Sequence, residues 1–284
     1  MPLYKFLIYF SFCIIFCNCV TKKNKSEKFI EKGLEAYSIK QIAKLPSKID
    51  ESSGLAWADD STLYTVNDGG GKASLYRINL KGKFLQELNF PHLENRDWEE
   101  LTRDNKGNIY IGDIGDNLNY HDSSMVYKFH PTHPEIIDTI TFKYSDQILG
   151  YQNRSRFKHN FDSEAMFWMD EKLYIFSKNR DEKWVKYYVI PARKGNYIIN
   201  PSPQKILLES MVTGADIRKD KKQFVLLSYN RVYFFDLKDE QNLFAYPSFS
   251  LKMSRGQTEA IVYKNDKEFI ITNEQSKMFS LKLK

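Results

Sequence analysis

Cysteine is missing from most of this chain: all three residues, Cys13, Cys17 and Cys19, lie within the first 19 of 284. Everything after them forms neither a disulfide nor a cysteine-based zinc site or nucleophile, so its stability rests on packing. Helical periodicity is missing too. From residue 37 onward no long stretch repeats apolar residues at 3.6 spacing, which excludes a helical bundle. No Gly-x-Ser-x-Gly elbow and no His-Glu-x-x-His helix occurs, removing two common hydrolase signatures. The apolar run Phe6 to Phe16 covers 11 residues and is too short for a membrane-spanning helix. Charge of one sign is equally scarce in the body of the chain. Of the formal +6, Lys5 carries one and residues 20–32 carry three net, leaving +2 for the rest. That gives no nucleic-acid footprint.

What is present is a repeat. Ser52-Ser53-Gly54-Leu55, Trp98-Glu99-Glu100-Leu101, Ser163-Glu164-Ala165-Met166, Gly214-Ala215-Asp216-Ile217 and Thr258-Glu259-Ala260-Ile261 each precede a short turn and an apolar β run. With Leu55, Leu101, Met166, Ile217 and Ile261 as the shared apolar column, the intervals are 46, 65, 51 and 44 residues. A period near 45 with four strands per unit is the signature of a β-propeller, so the expected class is all-β with five four-stranded blades. Six blades stay open because of the long interval, whose surplus, Ser145 to Phe161, reads as a polar, basic loop.

Unit five runs out of chain after its third strand, Met278 to Leu281. The strand-like segment Ile39 to Leu45 precedes the first unit and has the right length to supply the missing edge. The expectation is a ring closed by the N-terminal strand, leaving no unpaired edge. The propeller then occupies residues 37–284.

The N-terminus reads as an address. Lys5, the short apolar run and the cysteines after it resemble a bacterial lipoprotein signal peptide over residues 1–19, with Cys19 the candidate lipidated residue and a plain secretory signal the alternative. Residues 20–36, rich in lysine, read as a basic tether. The expected setting is the bacterial cell envelope, lipid-anchored and facing periplasm or exterior, with the domain a monomer.

Candidate chemistry sits where inner strands begin and second strands end, because both lie at one mouth of a propeller channel. The residue two before the apolar column is Ser53, Glu99, Glu164, Ala215 and Glu259; the residue closing each second strand is Asn67, Asp113, Ser177, Ser228 and Asn273. Converging oxygen ligands suit a hard divalent cation such as calcium, or magnesium with retained waters. Glu99, Glu164, Glu259, Asn67, Asp113 and Asn273 are the expected metal or ligand set. Ser53, Ser177, Lys178, Ser228 and Asp216 are further ligand contacts, with Lys178 a protein-borne counter-charge. Arg154, Arg156, Lys158 and His159, in the surplus loop, would hold an anionic ligand over the cation. The competing structural reading has the same carboxylates stitching blades together through backbone N–H groups. The loop Asp113 to Asp122 is dense in oxygen donors but lacks the spacing and closing Glu of an EF-hand, and reads as an Asx-rich turn.

Glu-Ser-Ser-Gly-Leu, Asp97 to Leu101, Gly112 to Asn117, Asp-Ser-Glu-Ala-Met, Thr-Gly-Ala-Asp-Ile and Thr-Glu-Ala-Ile resemble the repeats of bacterial envelope propellers, the SdiA-regulated group among them, over about residues 50–275. That resemblance implies the fold and no settled reaction. More distantly, the Glu and Asn columns resemble gluconolactonase and regucalcin propellers, which hold one divalent cation at the channel mouth. The likeness implies Glu99 or Glu164, Asn67 or Asn273, and Asp113 as ligands; the catalytic Asp motif of those enzymes has no counterpart here. Three functions follow as expectations: a small-ligand binder using a divalent cation, a metal-dependent hydrolase of an ester, lactone or phosphoester, and a scaffold for a protein partner.

Overall fold

A computed structural model describes residues 29–148, 160–180 and 184–284. Among these, five sheets form, and each starts from an inner strand whose first residues are buried on both faces. The inner strand Ser163–Met169 is buried at every position, because a neighbouring blade covers each side of it. Outer strands such as Pro201–Leu207 alternate instead between exposed and half-buried positions, the period-2 pattern of a sheet with one wet face.

Blade 1 comprises Ser52–Asp59, Thr62–Asn67, Ser74–Asn79 and Phe84–Asn89, in that order from the axis outward. Blade 2 is Trp98–Arg103, Ile109–Asp113, Ser124–His130 and His133–Tyr144. Blade 3 is Ser163–Met169, Lys172–Ser177, Trp184–Pro191 and Pro201–Leu207, and blade 4 is Val212–Ile217, Gln223–Ser228, Arg231–Asp236 and Pro247–Lys252. Blade 5 takes three strands from the C-terminus, Thr258–Asn265, Glu268–Asn273 and Lys277–Leu283, and its fourth, Tyr37–Lys44, from the N-terminus. That last pairing is antiparallel, from Tyr37 opposite Leu283 to Lys44 opposite Lys277, with an irregularity between Gln41 and Ala43. The protein is a five-bladed β-propeller closed by its N-terminal strand.

Two short strands extend this plan. Ile30–Lys32, which the sequence pattern places in the tether, adds in parallel to the outer edge of blade 4, and Gly195–Ile199 adds in parallel to the outer edge of blade 2. Phe29 packs its ring against Tyr233 and Phe235 at centroid distances of 5.0 and 5.1 Å.

The core is divided among the seams. Five apolar clusters occur, one between each pair of neighbouring blades. The cluster between blades 5 and 1 includes Ala43 and Leu45 from the N-terminal segment, so closure contributes apolar burial as well as backbone pairing.

Every inner strand carries a register shift near its start, between Ser52 and Gly54, Trp98 and Glu100, Ser163 and Ala165, Val212 and Gly214, Thr258 and Ala260. The skipped residues are Ser53, Glu99, Glu164, Thr213 and Glu259, and a bulge re-aims the side chain it frees. In blade 4 that residue is Thr213, where the sequence pattern points to Ala215. The motif is read two residues late there, since Ala215 itself occupies the apolar column. The corrected intervals either side of it are 49 and 46 residues, closer to the rest.

The next position around the ring is Gly54, Glu100, Ala165, Gly214 and Ala260. At Gly54 a Cβ would collide with the backbone of Glu100 and Leu101; at Gly214 it would lie 2.9 Å from the Glu259 carbonyl oxygen. Inner strands therefore approach closely here, and four of the five residues are Gly or Ala. Glu100 fills the space they leave. Its carboxylate accepts hydrogen bonds from Leu101 N at 2.9 Å and, across the ring in blade 4, from Ala215 N at 3.0 Å.

Candidate functional site

At the mouth of the channel the strands deliver three layers of side chains, polar except at Ile114. The bulge layer contributes Glu99, Glu164 and Glu259, all buried. The second layer comes from the residue immediately after each second strand: Asp68, Ile114, Lys178, Tyr229 and Glu274. The third, from just before the inner strands, supplies Asp97 and Asp162.

These residues meet in two triplets. Asp68, Asp97 and Glu99 can each place a carboxylate oxygen within 4.8 Å of the others, and so can Glu99, Asp162 and Glu164. Glu99 belongs to both. The second triplet has protein-borne cations. Lys178, 6% exposed, bonds through Nζ to Glu164, and its ammonium stands 5.4 Å from the Tyr229 ring centroid. Arg180 bonds to Asp162 and to Asn117, and its guanidinium lies 3.6 Å from a Glu164 oxygen. Asp162 also accepts from Asp116 N at 2.9 Å. In the first triplet no Lys or Arg of the described residues makes an ion pair with Asp68, Asp97 or Glu99; Glu99 accepts a long hydrogen bond from Ser53 at 3.4 Å.

Burial governs the charge states. Loss of solvent, then the neighbouring carboxylates Asp68 and Asp162, push Asp97 up to about 7. Glu99 is raised well above the usual carboxylate range by burial and by Glu164, and Asp68 rises chiefly through burial. Glu164 reaches about 8 because its burial outweighs the attraction of Lys178. Glu259 reaches about 10, from burial, Glu164 and a hydrogen-bonded Glu274. Burial alone would lower the Lys178 ammonium, but Glu164, Glu99 and Asp162 overcome it and hold Lys178 charged. Crowded carboxylates with too few cations keep protons that water would remove.

The closing residues of the second strands turn the other way. Asn67 donates to the Lys48 carbonyl at 3.0 Å and to Asp50 at 3.1 Å. Asp113 accepts from Arg96 Nε at 2.9 Å, Asp97 N at 3.0 Å and Tyr127 at 3.3 Å, so it holds the backbone of Asp97 without joining the triplet. Ser177 accepts from Lys186 N at 3.0 Å, and Ser228 donates to the Arg231 carbonyl at 3.2 Å. Asn273 donates to the Arg255 carbonyl at 2.7 Å and accepts from Gln275 N and Lys277 N. Asp216, pushed up to about 7 by burial, accepts from Tyr263 N of blade 5 at 2.7 Å and thus staples two blades. Of the sequence-derived set, Glu99, Glu164, Glu259, Ser53 and Lys178 gather at the mouth. Arg154, Arg156, Lys158, His159 and the candidate anchor Cys19 lie outside the described residues.

Asp68, Asp97, Asp162, Arg180 and Tyr229 escaped the sequence reading. A signal existed for Asp68 and Tyr229: side chains alternate along a strand, so if the closing residue turns into the blade, its successor turns to the channel. Asn95 also belongs here. Its amide donates to the carbonyls of Asn67 and Asp68 at 3.1 and 2.9 Å and its oxygen accepts from Trp98 N at 2.9 Å, tying the Asp68 loop to the strand that carries Glu99. Two glycines fit around the first triplet. A Cβ on Gly115 would fall within 2.6 Å of a Glu99 oxygen and closer to Asp97, and one on Gly69 would strike Asp97. The Asp113 to Asp122 loop is a turn, closed by Asp116 accepting from Tyr120 N at 2.7 Å and His121 N at 3.2 Å.

No family model and no curated protein matches the chain. Among solved structures, the PQQ-bound aldose sugar dehydrogenase of Streptomyces coelicolor is similar over 87% of this chain and 98% of its own, with a TM-score of 0.52 and 10% identity. A structural-genomics protein of unknown function from Bacteroides thetaiotaomicron matches 88% of this chain and 76% of its own, with a TM-score of 0.48 and 9% identity. A catalytically inactive virginiamycin B lyase from Staphylococcus aureus with quinupristin matches 84% and 69%, with a TM-score of 0.43 and 11% identity. At such identities the likeness concerns the propeller fold alone.

Proposed function

We propose that the propeller binds a hard divalent cation at Asp68, Asp97 and Glu99 and uses it to recognise a small oxygen-rich ligand at the channel mouth. One observation carries this reading: of two carboxylate triplets sharing Glu99, the protein neutralises one with Lys178 and Arg180 and leaves the other to be neutralised from outside. All-oxygen donors favour calcium or magnesium over thiophilic metals. Three carboxylates leave coordination positions for water or a ligand, and Asp68 and Asp97 are only half-buried, which gives access from solvent. Glycine at 69 and 115 keeps that approach free of side-chain atoms. Thermal unfolding with calcium, magnesium and manganese tests the reading: a saturable rise in melting temperature, lost in Asp97→Asn, is the expected result, and an unmoved wild type would refute it.

A hydrolytic version, acting on an ester, lactone or phosphoester, draws support from Glu259. Raised to about 10 by burial and its carboxylate neighbours Glu164 and Glu274, that carboxyl keeps its proton at neutral pH, the state a general acid requires. The scaffold version, in which the Glu column stitches blades, draws less support, since Glu100 and Asp216 already make the interblade backbone contacts.

The same reading includes an envelope location and kinship with SdiA-regulated propellers, supported by the signal-like N-terminus and the repeat motifs. Replacing Cys19 with Ser should move the protein from the membrane to the soluble fraction without changing its fold. An unchanged partition would remove the lipid anchor from the proposal.

A further inference from the structure

The sequence motif at Asn273 organises something other than the channel. Its side chain, 1% exposed, donates to the carbonyl of Arg255 at 2.7 Å and to Gln275 Oε1 at 2.7 Å, and accepts from the backbone N–H of Gln275 at 3.1 Å and Lys277 at 3.0 Å. Arg255, Gln275 and Lys277 all line one cavity of about 430 Å³ between blade 5 and the linker that reaches it from blade 4, together with Gln41, Ser254, Gly256 and Phe279. One buried amide therefore fixes the backbone at three of the seven lining positions.

The rest of the wall is fixed as firmly. The linker between blades 4 and 5 is pinned by Met253 N on the Asn230 carbonyl at 2.7 Å and by Glu274 N on the Gln257 carbonyl at 3.0 Å. Gly256 adopts a φ of +76°, and a Cβ there would strike Gln275 Oε1, so only glycine takes the linker along this path without strain. A wall held this way loses little freedom when something binds.

Its chemistry is the inverse of the channel mouth. No lining residue is acidic. Arg255 and Lys277 make no ion pair with any carboxylate of the described residues, and the guanidinium donates to the neighbouring Ser254 carbonyl at 2.8 Å. Two amides and a hydroxyl add hydrogen-bonding groups, and Phe279 adds an aromatic floor. A guanidinium presents paired donors to a carboxylate or phosphate, and an ammonium supplies a point charge beside it. The volume lies in the range of small-ligand sites.

We propose that this cleft binds a small oxyanion, a carboxylate or phosphate carrying a compact apolar body. Because Gln41 comes from the strand that closes the ring, an occupant touches the closing strand, its partner strand through Lys277 and Phe279, and the linker together, and holds the closure shut. The site is independent of the cation reading at the channel mouth.

The test uses the folded chain and four probes: acetate and benzoate, inorganic phosphate and phenyl phosphate. Chloride at matched ionic strength is the control. Amide chemical shifts at Gln41, Gln275 and Lys277 should move saturably with benzoate or phenyl phosphate, and less with the smaller anions. Hydrogen exchange over residues 37–44 should slow in step. The double variant Arg255→Gln with Lys277→Gln should weaken binding at least tenfold while keeping the wild-type shift pattern elsewhere; Arg255→Lys, which keeps the charge and loses the fork, should fall between. Saturation with benzoate alone assigns a carboxylate ligand, and with phenyl phosphate alone a phosphate ester. Shifts that rise linearly with concentration, match those of chloride or persist unchanged in the double variant would overturn the proposal.

Discussion

Two carboxylate triplets share one residue at the channel mouth, yet they are in opposite electrostatic conditions. Glu99, Asp162 and Glu164 sit against Lys178 and Arg180; Asp68, Asp97 and Glu99 pair with no Lys or Arg of the described residues and feel Lys178 only at a distance. The first is ion-paired within the protein, and the second is a carboxylate cluster with no ion-paired Lys or Arg among the described residues. Blade repetition explains how both arose from one plan: equivalent strand ends deliver equivalent positions, and single substitutions there, Lys178 in blade 3 where blade 1 has Asp68, decide which triplet is neutralised internally. A cluster of acids is common; one that lies beside a neutralised copy of itself is more telling.

Breaking the neutralised triplet should have the largest effect. Lys178→Met strands buried carboxylates without an ammonium, at a cost of about 3–5 kcal/mol, which lowers the melting temperature of a domain this size by roughly 6–20 °C. Asp97→Asn, in the other triplet, removes a repelling charge and should leave the metal-free stability unchanged or higher. Calorimetry on the two variants separates the triplets directly.

Filling the open triplet should come next. At a calcium concentration a hundred times its dissociation constant, the wild type should gain about 2.7 kcal/mol, roughly 5–10 °C in melting temperature. Gly115→Ala, whose methyl displaces the carboxylates of Asp97 and Glu99, should abolish that gain, as should Asp97→Asn.

The pH profile sharpens the contrast further. Asp97 and Asp216 titrate near 7 and Glu164 near 8 in the folded chain, above their unfolded values near 4. The folded state therefore holds extra protons across this interval. The stability these groups contribute is fully present below about pH 4 and is lost as pH rises through 7 to 8. Thermal unfolding between pH 5 and 9 without metal should show falling stability, and saturating calcium should flatten the fall. Smallest of all, Ser53→Ala removes one 3.4 Å hydrogen bond to Glu99 and should change stability by no more than about 0.5–1.5 kcal/mol, with the calcium response kept.

Much of this architecture was legible before the structure. Five inner strands announce themselves because each is followed at a fixed distance by an apolar run that must pair with it, and the shortage of one strand at the C-terminus points to closure from the other end. The parallel additions Ile30–Lys32 and Gly195–Ile199 gave no such signal, being short edge strands without a hairpin partner. Blade 4 misled by imitation: Gly214 to Ile217 follows the pattern of the other motifs but stands two residues past the bulge. At the site, the bulge column was readable as a run of glutamates. The second column was read one residue early, on Asn67 and Ser177 instead of Asp68 and Lys178, and a slip of one residue exchanges the faces of a strand. Asp97 and Asp162 precede their strands, where no alternation marks them.

Closure through Tyr37 opposite Leu283 also sets an order of events during synthesis. A chain made from its N-terminus at about 5–20 residues per second presents its first ring strand about 12 to 50 s before the partner exists. Throughout that wait the strand has no edge to join, and blades 1 to 4 can stack only into an open arc with seams at both ends exposed. Contacts this distant in sequence also slow folding itself. A product that stops short of Lys277 never acquires the partner strand, so an incomplete chain stays open to proteases and chaperones, and possession of the strand Lys277–Leu283 becomes the condition for leaving their reach.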